Sequence, residues 1–194
     1  MNLANRITIA RIFLVPVIMF FLLIQVKFPH IRIEQFSITY NQIIATLIFI
    51  IAASTDSLDG YLARKRKLVS KLGMLLDPLA DKLLVTAVLV SLVEMDKLDA
   101  WIAIVIISRE FAVTGLRQIA LLEGQVIAAS KLGKWKTASQ ITAIIALLLN
   151  NFPFTFINFR FDLLSSWIAA IITVYSGIDY FLKNKHVVNF SDKQ

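Results

Sequence analysis

The chain has no cysteine, which excludes both a disulfide framework and a thiolate metal site. Its two histidines, His30 and His186, fall in a polar loop and a polar tail and are read as uninvolved. Acids are also short, 13 against 20 lysines and arginines, for a formal net charge of +7. An internal repeat, a linker and a soluble second domain are all missing. What is plentiful is apolar: 58% of residues are hydrophobic and mean hydropathy is +0.74. Soluble domains usually hold roughly 45–50%. The excess is gathered into runs, so residues 1–194 are expected to form a single all-α, polytopic membrane domain. In such a protein a basic excess reflects cytoplasmic loops and affinity for anionic lipid, not nucleic acid.

The runs predict six transmembrane helices. The first is expected at about Ile7–Val26, entered through an interfacial segment Asn2–Ala10, with Pro16 placed to kink it. A basic start before an apolar run also describes a signal peptide, but Ile12–Val26 is long and no small-x-small site follows. The mixed loop Lys27–Asn41 leads to a second helix at Gln42–Ala63, and the basic loop Arg64–Lys71 to a third that ends near Val93. Pro78 lies in the third helix's first turns, where a missing N–H is tolerated. The remaining helices are expected at Ala100–Leu122, Trp135–Leu149 and Leu163–Leu182. Phe152, Phe154, Phe156, Phe159 and Phe161 alternate as in a strand, yet beside a membrane they suit an interfacial belt better. Six spans put both termini on one side. Outer loops then hold only Lys27, Arg32, Lys97 and Arg160, leaving 16 of the 20 basic residues inside. That asymmetry turns the termini of a cell-membrane protein toward the cytoplasm.

Four carboxylates stand at the adjoining ends of the second and third helices: Asp56, Asp59, Asp77 and Asp81. Each charge costs ~2.5–3.5 kcal/mol at the centre of a spanning helix, so intramembrane acids mark function by default. At about 100° per residue, Asp56, Asp59, Gly60 and Ala63 share an arc of roughly 100°, and Gly73, Asp77 and Asp81 one of roughly 80°. Two carboxylate pairs facing across a hairpin would repel unless cations relieved them. Hard oxygen donors suit two divalent ions, Mg²⁺ or Mn²⁺, far better than zinc. Gly60, Ala63 and Gly73 leave room on those faces for a ligand. The plainer reading pairs the acids with Arg64, Lys65, Arg66, Lys67, Lys71 and Lys82. Membrane prenyltransferases also use aspartates and magnesium, but usually with acids four apart in both clusters.

Cations form a second constellation. Arg109, Val113 and Arg117 recur every four residues, so both guanidiniums are candidates for one cavity, and arginine binds phosphate in bidentate fashion. Arg109 has a structural alternative in pairing with Glu110 or the aspartates. Asn5, Thr8 and Arg11 recur every three residues, as ligand contacts or as a snorkelling anchor.

The string Asp56-x2-Asp59-Gly60-x2-Ala63-Arg64-x8-Gly73-x3-Asp77-x3-Asp81 resembles, without gap or substitution, the signature of the CDP-alcohol phosphotransferases, with eight fixed positions over 26 residues. The resemblance implies six transmembrane helices, a homodimer among membrane lipids, and transfer of a phosphatidyl group from CDP-diacylglycerol to an alcohol with release of CMP. It implies that Asp56, Asp59, Asp77 and Asp81 hold the metals and that Asp81 is also the base. Gly60, Ala63, Arg64 and Gly73, with Asn5 and Thr8, would lie by the CDP moiety. Residues Ile107–Arg117 and Lys131–Thr137, with the opening Asn2–Arg11, resemble the bacterial branch that forms phosphatidylglycerophosphate, although Ala4 stands where that branch usually has proline. The implied acceptor is sn-glycerol 3-phosphate, its phosphate held by Arg109, Arg117 and Lys134. The alternatives are another acceptor (serine, inositol phosphate or phosphatidylglycerol) or, in another class, a cation or proton transporter. A transporter should show repeat symmetry or acids at mid-membrane. Asp56 instead lies about 13 residues beyond Ile43, roughly 20 Å along the helix.

Overall fold

In the computed structural model the described backbone comprises residues 3–24, 30–33, 36–66, 71–122, 124, 125, 127 and 130–185. Side chains are described for these except residues 3–8, 30, 55–66, 71–79, 81 and 122. Six helices dominate: α1 (Leu3–Leu23), α2 (Tyr40–Arg66), α3 (Lys71–Glu94), α4 (Ala100–Leu122), α5 (Lys131–Leu148) and α6 (Phe161–Lys183). The N-terminal segment is helical from Leu3 and runs directly into α1. Pro16 sits inside α1 without ending it. Pro78 is the eighth residue of α3, past the first turn, so there its missing N–H does remove a helical hydrogen bond.

Two helix starts are set by side-chain caps. The Thr39 hydroxyl accepts from the Gln42 N–H at 3.3 Å while the Gln42 side chain accepts from the Thr39 N–H at 3.2 Å. This reciprocal box satisfies two orphan donors and begins α2 at Tyr40. Ser130 Oγ accepts from the Gly133 N–H at 3.0 Å, which begins α5 at Lys131, four residues ahead of the expected Trp135.

Within this all-α fold a short hairpin, where the sequence predicts a mixed loop, joins α1 to α2. Strands β1 (His30–Ile33) and β2 (Phe36–Thr39) pair antiparallel, with Ile31 opposite Ile38 and Arg32 opposite Ser37. Phe36 and Ile38 are buried. The Phe36 ring lies 5.2 Å from Phe152 and 6.2 Å from Phe156. The phenylalanine-rich segment therefore packs on the hairpin, and its own turn is a 3-10 helix, Phe154–Ile157, not a strand. Asn150 Nδ2 donates to the Ser37 carbonyl and the Gln42 side chain, tying the end of α5 to this cap.

The core runs the length of the bundle. Ile18, Phe49, Val88, Leu89, Leu92, Ile144 and Leu148 are almost wholly buried. α1 packs on α2 and α3, and α6 on α4 and α5. On α6 the usual amphipathic arrangement is inverted. Ser165, Ser166, Thr173, Ser176 and Gly177 face inward, while Leu164, Ile168, Ile171, Tyr175 and Ile178 are exposed. α6 is also the one helix, among the described residues, long and apolar enough to cross a membrane; Ile9–Leu23 and Tyr40–Ser54 are shorter apolar stretches. In α4 the charged side chains Arg109, Glu110 and Arg117 interrupt the apolar run.

Candidate active site

Asp56, Asp59, Gly60, Ala63 and Arg64 all lie within α2, and Gly73, Asp77 and Asp81 within α3. Asn5 and Thr8 lie within α1. The backbone is helical throughout each motif half, which is the condition for i,i+3 and i,i+4 residues to share a face. The side chains of these ten residues lie outside the described set. Among the described residues no group of three or more acids and histidines could hold a metal ion. The carboxylate oxygens of the four motif aspartates match Mg²⁺ or Mn²⁺ in donor type.

Beside these motifs lies a cavity of about 410 Å³ where five helices meet. α2 contributes Ala52 and Ala53, one turn before Asp56, and α3 contributes Lys82, the residue after Asp81. α1 adds Arg11, α4 adds Glu110 and Arg117, and α5 adds Lys136 and Gln140. Its described lining therefore carries four cations, Arg11, Lys82, Arg117 and Lys136, against one carboxylate, Glu110. Phe49, Leu84, Val85 and Ile141 form apolar wall. A cationic cavity with apolar walls binds anions strongly, because low dielectric magnifies each charge.

Side-chain contacts hold the cations in place. Lys136 Nζ pairs with Glu110 Oε1 across α5 and α4. Lys82 Nζ donates to Thr114 Oγ1, whose own hydroxyl donates to the Glu110 carbonyl at 2.6 Å. Arg117 Nε donates to the Tyr180 hydroxyl at 2.9 Å. Among the described residues its two terminal nitrogens have no hydrogen-bond partner, which leaves the edge of the fork open for bidentate contact.

The three cations named from sequence separate here. Arg117 lines the cavity. Arg109 does not: its Nη2 donates to Ser176 Oγ on α6 at 2.7 Å and its Nη1 lies 3.4 Å from Glu110 Oε1. Gly177 makes room for it, since a Cβ there would come within 3.1 Å of Arg109 Cγ. Two steps of four residues drift about 80° around a helix, enough to send Arg109 and Arg117 different ways. Lys134 is exposed in the first turn of α5, whereas Lys136 is 3% exposed on the cavity wall. The buried stripe Ala143, Ile144 and Leu147, extended backward in steps of three and four, passes through Gln140 and Lys136, so helical phase could have selected them.

The profile of the CDP-alcohol phosphatidyltransferase family matches residues 1–176. A Bacillus subtilis protein named CDP-diacylglycerol–glycerol-3-phosphate 3-phosphatidyltransferase is 49% identical over 191 residues, covering 98% of this chain and 99% of its own. Proteins of the same name from Haemophilus influenzae and Rickettsia bellii are 40% and 38% identical. The Haemophilus match covers 92% of this chain and 91% of the relative, and the Rickettsia match 93% of both. With the aspartate signature on α2 and α3, a cationic cavity beside it and matches over nearly the full length, this chain belongs to the CDP-alcohol phosphatidyltransferase family.

Proposed function

We propose that this chain transfers the phosphatidyl group of CDP-diacylglycerol to sn-glycerol 3-phosphate, giving phosphatidylglycerophosphate and CMP. The observation that carries the choice of acceptor is the cationic cavity beside the aspartate helices. A neutral acceptor such as serine has no use for that many positive groups, while a phosphomonoester dianion does.

The reaction is a displacement at the lipid-bearing phosphorus. The acceptor's terminal hydroxyl oxygen forms the new P–O bond, the bond to the CMP oxygen breaks, and Asp81 accepts the hydroxyl proton. Asp56, Asp59, Asp77 and Asp81 would hold two divalent ions, which neutralise the pyrophosphate and the departing CMP when bound. Gly60, Ala63, Arg64 and Gly73, with Asn5 and Thr8, receive the CDP moiety. Arg117 and Lys136 take the acceptor phosphate away from the aspartates. Arg109 acts on the same pocket through Glu110. Removing one charged hydrogen-bond partner costs ~1.5–3 kcal/mol, or roughly 10- to 100-fold in affinity. Arg117→Ala should raise the glycerol 3-phosphate KM by about that factor and leave the CDP-diacylglycerol KM nearly unchanged. Unchanged kinetics would remove Arg117 from the pocket.

The setting we propose is the cell membrane, crossed six times, with the site opening to the cytoplasm and a lipid tail leaving sideways into the bilayer. The inverted face of α6 supports it, since lipid favours small and hydroxylated residues between helices and large apolar ones outside. Cysteines at Lys67 and Gln35 test the orientation. An impermeant reagent applied to intact cells should label position 35 alone; labelling at 67 alone would reverse it. The family's homodimer is part of the proposal, and cross-linking in membranes that gave only monomer would remove it.

A further inference from the structure

We infer that Gln140 reads the secondary hydroxyl of the acceptor, and so sets part of the selectivity of the cavity. The inference rests on the acceptor reading of that cavity. Gln140 is 3% exposed and lines it, yet among the described residues its Nε2 has no hydrogen-bond partner. A buried donor left unsatisfied costs ~1–3 kcal/mol, so a native orphan calls for a physical reason. The lining's own oxygen-bearing side chains, Glu110 and Thr137, make their described hydrogen bonds to Arg109, Lys136 and the Gly133 carbonyl and none to Gln140. The missing partner is therefore an oxygen that arrives with the ligand.

Position and chemistry narrow that oxygen. Gln140 stands one turn beyond Lys136 on α5, about 6 Å along the axis and on the same face. Phosphoryl oxygens are matched by the cations Lys136 and Arg117. A neutral amide is matched to a neutral hydroxyl, because its NH₂ donates to the hydroxyl oxygen while its carbonyl accepts the hydroxyl proton. In glycerol 3-phosphate the phosphate and the attacking terminal hydroxyl are already assigned. The hydroxyl on the middle carbon is the one left, and it lies within a turn's length of the phosphate.

The test compares sn-glycerol 3-phosphate with 3-hydroxypropyl phosphate, which lacks only that hydroxyl, using the purified full chain. Wild type should favour the glycerol compound in kcat/KM by about 10- to 100-fold, and Gln140→Leu should bring the ratio close to one by losing rate on the glycerol compound. Gln140→Met, also close in volume, gives the same reading if the leucine variant does not fold. An equal fall on both compounds would make Gln140 a packing residue and overturn the inference. Equal use of both by wild type would overturn it too, while leaving the acceptor reading standing. No transfer to either compound would remove the acceptor reading itself.

Discussion

Lys136 of α5 and Glu110 of α4 form an ion pair on the cavity wall, with the lysine side chain 4% exposed and the glutamate 19%. Glu110 also faces Arg109, so one carboxylate restrains a cation assigned to the ligand and another tied to α6. Removing one partner of such a pair leaves an uncompensated buried charge, a loss of ~3–5 kcal/mol, whereas removing both is often nearly neutral. Glu110→Ala should therefore melt well below wild type in detergent. Adding Lys136→Met should recover most of the loss while leaving the acceptor KM raised. If the double variant melts no higher than the single, the two side chains are not coupled.

The aspartates carry a separate expectation. Asp77→Asn and Asp81→Asn should abolish transfer while the protein still inserts, and chelation should silence the wild type. Near-normal turnover of Asp81→Asn at saturating magnesium would remove its assignment as the base. Indifference to chelators would remove the metal site.

A pH effect is expected at the other end of the bundle. Lys97, between α3 and α4, donates to the Leu147 carbonyl and to Asn150 Oδ1, and burial lowers its pKa from 10.5 to about 8. The folded state thus disfavours the charged amine. Between pH 8 and 10.5 the unfolded chain holds a proton that the folded chain has lost, so stability rises with pH across this window and the penalty is fully present below it. Melting temperature should rise more from pH 7.5 to about 9.5 in wild type than in Lys97→Met. Parallel profiles would contradict the shifted pKa.

How far the sequence discloses this molecule varies by element. α4 runs Ala100–Leu122 as the sequence predicts, because the polar turn through Asp96, Lys97 and Asp99 marks where the apolar segment begins. α2 and α5 begin earlier than their apolar runs, because Thr39, Gln42 and Ser130 extend them by capping and not by hydropathy. The hairpin hid inside a loop, although His30-Ile31-Arg32-Ile33 and Phe36-Ser37-Ile38-Thr39 alternate as strands do. At the site, the aspartate signature was legible as a pattern of spacing. The cavity was not, since its wall collects single residues from five helices, and only packing puts Arg11, Lys82, Arg117 and Lys136 around one space. The family resemblance named Lys134; the Ser130 cap and the buried stripe of α5 point to Lys136 instead as the inward lysine.

The most direct test is a transfer assay on the purified chain with CDP-diacylglycerol, divalent metal and a panel of labelled acceptors. Label from sn-glycerol 3-phosphate should enter lipid in step with CMP release, one for one, with glycerol, serine, inositol phosphate and phosphatidylglycerol poor substitutes. Equal incorporation from glycerol or serine would contradict a phosphate-reading cavity, and CMP release with no labelled lipid from any acceptor would contradict the transfer itself.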